Sequence, residues 1–426
     1  MFTRSLQEKL DKMEETIKVG DCVIVQRQNY TKLHKLKAHG TMQLGSFIIE
    51  MDNIVGEKYF DTFQIKNVPN TRRNYTLEKI EDLSLINSNL TVEQSGSDNR
   101  NIKADDNNQV MSSEEINKLK DEELSSNNIV EKLISNSKTF SEKTEFSQEK
   151  YIKKKAKKYF EYVEIRRPSV RLLSQMFFRQ EPAKILGIRT DDLSQILTYS
   201  NIQSEGTHIL YDSGTSGLMS AALMETIGAN TDGKLIHMHP GNECQKVAFL
   251  AMEFPEEQAK RCINVNLYSV LRHFHQGKSE LELKEEGDAE MKDITENNDK
   301  METEATVEPD PKRRKVYKPV WQVENEEACQ LLKQGVHSIV ITAKEHPVNI
   351  VDALEPFLLP SRNLVVFSTV REPLQDLYFH LKSKNYLAVK LTTNFMRNYQ
   401  VLPERTHPEV NMTNGGYLLT AIKVEK

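Results

Sequence analysis

The sequence predicts an α/β protein preceded by a separate all-β part. Three observations predict it: apolar–polar alternation over residues 18–86, strand-like apolar runs separated by amphipathic helices from residue 201, and a polar, helix-forming stretch between them. A length of 426 residues allows two or three domains. Hydrophobic residues make up 38% and charged residues 28%, a balance that fits folded domains diluted by polar segments. Nothing approaches the run of about 18 apolar residues that a membrane span requires. The N-terminus MFTRSLQEKLDKMEE lacks the apolar core of a secretory signal. Cys22, Cys244, Cys262 and Cys329 are scattered, without a CxxC pair, and read as reduced thiols of an intracellular protein.

Residues 1–95 are expected to form a small β-barrel. DCVIVQRQ, GSFIIEM and EKYFDTFQI alternate with period two, and HGTMQLG, NIVGEK and NVPNTR supply the turns. Residues 96–200 form a connector, first extended and polar, then helical. Ser112-Ser113-Glu114-Glu115 has the form of a helix start, and TEFSQEKYIKKKAKKYFEYVEIRR reads as one helical run towards Pro168. From 201 to 426, THILYD, GKLIHMH, HSIVIT, RNLVVFS and GYLLTAIKV read as buried strands. SGLMSAALMETIG, NECQKVAFLAME, NIVDALEPFL and EPLQDLYFHLK read as the helices between them. An acidic insert, 277–312, interrupts this domain and reads as disordered. Residues 277–310 hold thirteen Asp/Glu against four Lys, so the net charge of −5 conceals an excess of +4 elsewhere.

A strand, a glycine-bearing turn and a helix form a nucleotide-binding geometry. Here HILYD runs into Asp212-Ser213-Gly214-Thr215-Ser216-Gly217, which resembles motif I of Rossmann-like, S-adenosylmethionine-dependent methyltransferases with one residue too few. The next strand ends Leu235-Ile236-His237-Met238-His239 without the acid that would hold ribose hydroxyls. HSIVIT places Thr342 or Ala343 where a catalytic Asp is expected, and neither can accept a proton. Three defects at once predict a methyltransferase fold with degenerate cofactor motifs and no catalytic or cofactor-binding residues. His237, His239 and His346 lack a further ligand at metal spacing and read as structural or surface histidines.

KYIKKKAKKY (150–159), RRPSVRLLSQMFFRQEPAKILGIRTDDLSQIL (166–197), YQVLPERTHPEV (399–410) and SDNRNI (97–102) resemble the non-catalytic subunits of the eukaryotic tRNA (adenine-58-N1)-methyltransferase, and the likeness covers nearly the whole chain. The resemblance implies a β-barrel domain, a Rossmann-like domain and a heterotetramer with two catalytic subunits. It also implies that those partners bind S-adenosylmethionine, that tRNA lies across both subunit types, and that the T-loop adenine, in initiator tRNA among others, is methylated.

Lys150, Lys153, Lys154, Lys155, Lys157 and Lys158 form the strongest cluster. At about 100° per helical residue, all but Lys155 fall within an arc of roughly 140°. Such a stripe suits a phosphate backbone, and its alternatives are a solvated helix face or a nuclear-import signal. Asp98, Asn99, Arg100 and Asn101 alone read as a surface turn, and with the resemblance as an RNA contact. Arg179, Lys184 and Arg189 punctuate a loop suited to RNA, with pairing to Asp191 and Asp192 as the alternative. Arg371 follows a strand at the sheet edge where methyltransferases receive substrate. Arg397 and Arg405 complete the set, although Arg405 could instead secure a partner interface. Tyr159, Tyr162, Phe177 and Phe178 read as core or interface. Lys312, Arg313, Arg314 and Lys315 read as a nuclear-import signal, placing the protein in the nucleus, with an RNA contact as the rival. Two other functions compete: an active RNA methyltransferase using Asp212 or Glu345, and a stand-alone RNA-binding translation regulator.

Overall fold

The computed structural model describes residues 16–45, 47–68, 74–80, 96, 110–112, 115, 126–159, 162–277, 319–402, 405–409 and 415–425. Asp98–Asn101, most of the acidic insert and Lys312–Lys315 therefore lie outside the described residues. The chain divides into two compact units, Met1–Pro168 and Ser169–Lys426.

The first unit contains strands β1 (Cys22–Arg27), β2 (Tyr30–Lys35), β3 (Thr41–Leu44), β4 (Phe47–Glu50), β5 (Thr62–Asn67) and β6 (Asn74–Lys79), helices α1 (Ser126–Ser135) and α2 (Glu145–Tyr159), and strand β7 (Tyr162–Arg166). The strands make a barrel-like seven-stranded sheet in the order β2-β1-β7-β5-β6-β4-β3. Alternation places Val23, Val25, Ile49, Phe63, Leu77, Val163 and Ile165 in one core. Strand β7 comes from the stretch expected to continue the lysine-rich helix. It pairs antiparallel with β1 (Val25 opposite Ile165) and with β5 (Phe63 opposite Val163). Burying Tyr162, Val163 and Ile165 between two ladders outweighs any local helical preference. The division differs from the expected one for the same reason. The stretch 96–200 is not a separate part: its strand completes the first sheet, and its residues from Ser169 onward belong to the second unit.

The second unit opens with helices α3 (Val170–Gln180) and α4 (Thr190–Ser200). Then follow β8 (Thr207–Asp212), α5 (Leu218–Ile227), β9 (Lys234–His239), the short α6 (Val247–Ala251) and α7 (Glu256–Lys260), β10 (Cys262–Asn266) and α8 (Leu267–Gln276). After the insert come α9 (Val320–Gln334), β11 (Val336–Thr342), α10 (Pro347–Leu354), β12 (Leu358–Ser368), α11 (Glu372–Ser383), β13 (Leu387–Thr393), the hairpin β14 (Tyr399–Leu402) and β15 (Arg405–Pro408), and β16 (Tyr417–Ile422). The large sheet has the order β10-β9-β8-β11-β12-β16-β13, with β16 antiparallel to both neighbours and the remaining pairs parallel. Strand order reverses between β8 and β11, so their carboxyl ends flank the crevice where such sheets bind ligands. This is the Rossmann-like methyltransferase architecture expected from the sequence. Helices cover both faces, which explains the nearly continuous apolar runs of β8, β9 and β11. Among the described residues no helix is long and apolar enough to cross a membrane.

Candidate functional site: a closed cleft and basic surfaces

The crevice is occupied by the chain's own groups. At the tip of β8, the buried Asp212 carboxylate accepts hydrogen bonds from the Gly214 N–H (3.0 Å), the Thr215 N–H (2.9 Å) and the Thr215 hydroxyl. Its lone pairs are thereby committed to holding the turn. Ser216 N–H donates to Gln245 Oε1 (3.1 Å), and Ser216 Oγ donates to the Lys184 carbonyl (2.9 Å). A Cβ added at Gly214 would lie 3.0 Å from Lys344 Cε and 3.4 Å from Leu186 Cδ2. At Gly217, with φ of +79°, it would lie 2.9 Å from the Gln245 carbonyl oxygen. The glycine turn that would cradle a cofactor is thus roofed by Gln245 and Lys246 and flanked by Lys344.

Where the second strand would offer a carboxylate, His237 is buried, with Nε2 3.9 Å from Asp212 Oδ2. Its Nδ1 lies 3.3 Å from Cys244 Sγ and 3.2 Å from Asn264 Oδ1. Burial lowers the His237 pKa to about 4, and burial raises the Cys244 pKa to about 12. A neutral imidazole facing a protonated thiol plugs the site without supplying a nucleophile. The space left among Asp212, Gly214, His237 and Gln245 is about 170 Å³, below the roughly 300 Å³ of the smallest ordinary ligand clefts. The residues present do not fit S-adenosylmethionine.

At the acceptor end the expected carboxylate is replaced by a buried hydroxyl. Thr342 is fully buried, and its hydroxyl reaches the Tyr211 carbonyl at 3.5 Å. Glu345, the other carboxylate an active enzyme could use, accepts a hydrogen bond from the Tyr211 phenol. Burial pushes that phenol up to about 12, so it stays a donor. His346 instead faces Asp376, 3.4 Å away at the surface. Among the described residues no three His, Cys, Asp or Glu side chains converge as metal ligands.

The basic residues fall into distinct settings. All six lysines of the cluster lie on α2, against two glutamates in the same helix. Lys150 and Lys154 are exposed, whereas Lys155 is half-buried, its ammonium 5.3 Å from the Tyr151 ring centroid. Arg179 lies on α3 beside a groove of about 750 Å³ also lined by Arg171, Gln175, Phe178 and Met396. Arg171 was missed from the sequence, although Arg171, Gln175 and Arg179 share one helical face at i, i+4 and i+8. Lys184 is exposed and pairs with Glu181 at 2.7 Å. Arg371 is exposed at the start of α11, and Arg397 is exposed with its guanidinium 5.5 Å from the Phe395 ring. Arg405 lies on β15.

Arg189 is a correction. It is only 4% exposed, and its guanidinium bonds Asp191 (2.6 Å) and the Asn394 carbonyl (3.1 Å). That is the paired alternative: Arg189 ties the start of α4 to the segment after β13 rather than presenting charge to RNA. Tyr162 and Phe177 are buried, in keeping with core roles.

Residues 16–307 match the Gcd10p family. The chain belongs to that family. It is 30% identical to tRNA (adenine(58)-N(1))-methyltransferase non-catalytic subunit TRM6 of Mus musculus, over 95% of this chain and 88% of the mouse protein. The corresponding Dictyostelium discoideum subunit is 30% identical over 96% of this chain and 80% of its own length. Among solved structures, the chain is similar to a SAM-dependent O-methyltransferase of Thermotoga maritima, with 12% identity, 96% of each chain covered and a TM-score of 0.48. The Gcd10p membership and the two relatives agree with the resemblance carried by the lysine run and the RRPSVRLL segment.

Proposed function

We infer that this Gcd10p-family chain is the non-catalytic, tRNA-binding subunit of the complex that forms N1-methyladenosine at adenine-58 in the T-loop of tRNA, initiator tRNA included. The observation that carries the non-catalytic part is the closed crevice. Asp212 and Glu345 are both engaged, and the glycine turn is covered. Methyl transfer needs a bound cofactor and a base within reach of the acceptor, and this chain offers neither. The division of labour follows: the catalytic partner binds S-adenosylmethionine and supplies the carboxylate, while this chain contributes phosphate contacts and shape. Two copies of each subunit form the assembly, and the basic segment Lys312–Lys315 directs it to the nucleus.

Calorimetry with S-adenosylmethionine tests the reading, first on the purified chain and then on the chain with its catalytic partner. The expected result is no heat from the chain alone and one site for each pair of subunits. Saturable binding to the isolated chain would make an active transferase the working account instead.

A further inference from the structure

The buried Arg189 does more than neutralise acids, because it fastens a segment that lines the groove beside α3. Its Nε and Nη2 donate to the two Asp191 oxygens at 2.9 and 2.6 Å, a two-pronged grip that fixes the guanidinium plane. Nη2 also donates to the Asn394 carbonyl at 3.1 Å. The Asn394 side chain is held by the same helix, α4. Its Nδ2 donates to Asp192 Oδ1 at 3.0 Å, and its Oδ1 accepts from Gln195 Nε2 at 2.7 Å. Gly415 closes the lock, since a Cβ there would lie 2.7 Å from Arg189 Nη2 and 3.0 Å from the Asn394 carbonyl oxygen. The two helices are tied as well, with Ser174 Oγ of α3 lying 3.4 Å from Thr190 Oγ1 of α4. Beyond Asn394 the chain turns outward: Phe395, Met396, Arg397 and Asn398 are all exposed. Met396 and Asn398 line the groove of about 750 Å³ together with Arg171, Gln175 and Arg179 of α3.

We propose that Arg189 is a positioning residue for tRNA, an inference that rests on the tRNA-binding reading above. By fastening Asn394, it holds Met396, Arg397 and Asn398 at the groove before RNA arrives, and it touches no RNA itself. A segment ordered in advance loses little conformational freedom on binding, so its fixing is read as affinity. Lysine could not take this place, because one ammonium lacks the planar fork that reaches Asp191 and Asn394 together. Buried and paired, the Arg189 charge is spent inside the fold, whereas Arg179 on the groove face offers its charge to phosphate.

The test is filter binding of tRNA over a salt series, on the full chain assembled with its catalytic partner. Arg189→Gln and Asn394→Ala should each raise Kd by roughly tenfold. The log–log salt slope should stay unchanged in both, because neither side chain meets phosphate. Arg179→Ala should instead lower that slope by about 0.9. The double variant should bind no more weakly than Arg189→Gln alone, since both changes open one lock. Titration at saturating tRNA gives the active fraction, which a merely structural loss would reduce and a positioning loss leaves whole. If Arg189→Gln fails to assemble, Asn394→Ala carries the test, being half-buried with no charge to strand. An unchanged Kd in Asn394→Ala, or a slope in Arg189→Gln reduced as far as in Arg179→Ala, overturns the proposal. If Arg179→Ala weakens binding and Asn394→Ala does not, positioning alone fails. If neither does, the tRNA-binding reading of this groove fails with it.

Discussion

His208 lies wholly inside the second unit, its Nδ1 2.8 Å from Ser338 Oγ and its Nε2 facing the Gln203 backbone. Burial, with His337 and Arg362 nearby, lowers its pKa from 6.5 to about 4, and the Gln203 carbonyl only partly opposes that. The imidazole is therefore neutral when folded, whereas the unfolded chain takes up a proton below about pH 6.5. Across that window the unfolded state binds more protons, so stability falls as the pH drops from about 6.5 towards 4 and levels off below it. A change of this size corresponds to something on the order of 3 kcal/mol. Urea unfolding at a series of pH values should show the loss, and His208→Gln should flatten it. An unaltered slope in that variant would remove His208 from the account, leaving His237, whose pKa is lowered in the same sense. The same scale shows what a sequence leaves unsaid. That carboxylates are missing after β9 and β11 was legible in the letters. What fills their place was not, because Lys344 and Gln245 reach the turn from 130 and 31 residues beyond Gly214.

Helix α2 shows how an element turns a charge run into a surface. Gln148 is fully buried and donates from Nε2 to the Phe140 carbonyl (2.7 Å), while Phe140 meets Tyr151 edge-on with ring centroids 5.6 Å apart. The Tyr151 ring then draws in Lys143 at 4.8 Å and Lys155 at 5.3 Å. One face is anchored, and Lys155 belongs to it, in agreement with its position outside the arc of the other five. Replacing Lys153, Lys154 and Lys157 with Glu should weaken tRNA binding and leave assembly with the partner intact. Each lost phosphate contact should also reduce the log–log salt slope by about 0.9. Filter binding over a salt series checks this, and unchanged affinity at moderate salt would sink the assignment. Elements were legible where periodicity was long and clean, as in α2, β8 and β11. Several strands were not: β3 lies in HGTMQLG, which reads as a turn, β7 lies in a stretch that reads as helix, and β10 and β13 gave no strand signal. CINVN of β10 is short and interrupted by Asn264 and Asn266, which line the recess at the carboxyl ends of β9 and β10. LAVKLTT of β13 is an edge strand whose side chains are mostly exposed, so it lacks a buried apolar run.

At the scale of the whole chain, the boundary at Pro168 has a physical consequence. Strand β7 is the last strand of the first unit in sequence but lies inside its sheet, between β1 and β5. Its residues Val163 and Ile165 enter the same core as Val25 and Phe63. A fragment ending at residue 95, where sequence alone placed the end of the barrel, would lack that strand. The facing edges of β1 and β5 would lose their ladders, exposing backbone groups and apolar side chains together. A fragment ending at Pro168 keeps every strand of that sheet. Fragment 1–168 should therefore give dispersed amide NMR resonances and a cooperative thermal transition, while 1–95 should give neither and should aggregate. A cooperatively folded 1–95 would mean that β1 and β5 can close on each other, making β7 an accessory to the sheet rather than part of its core.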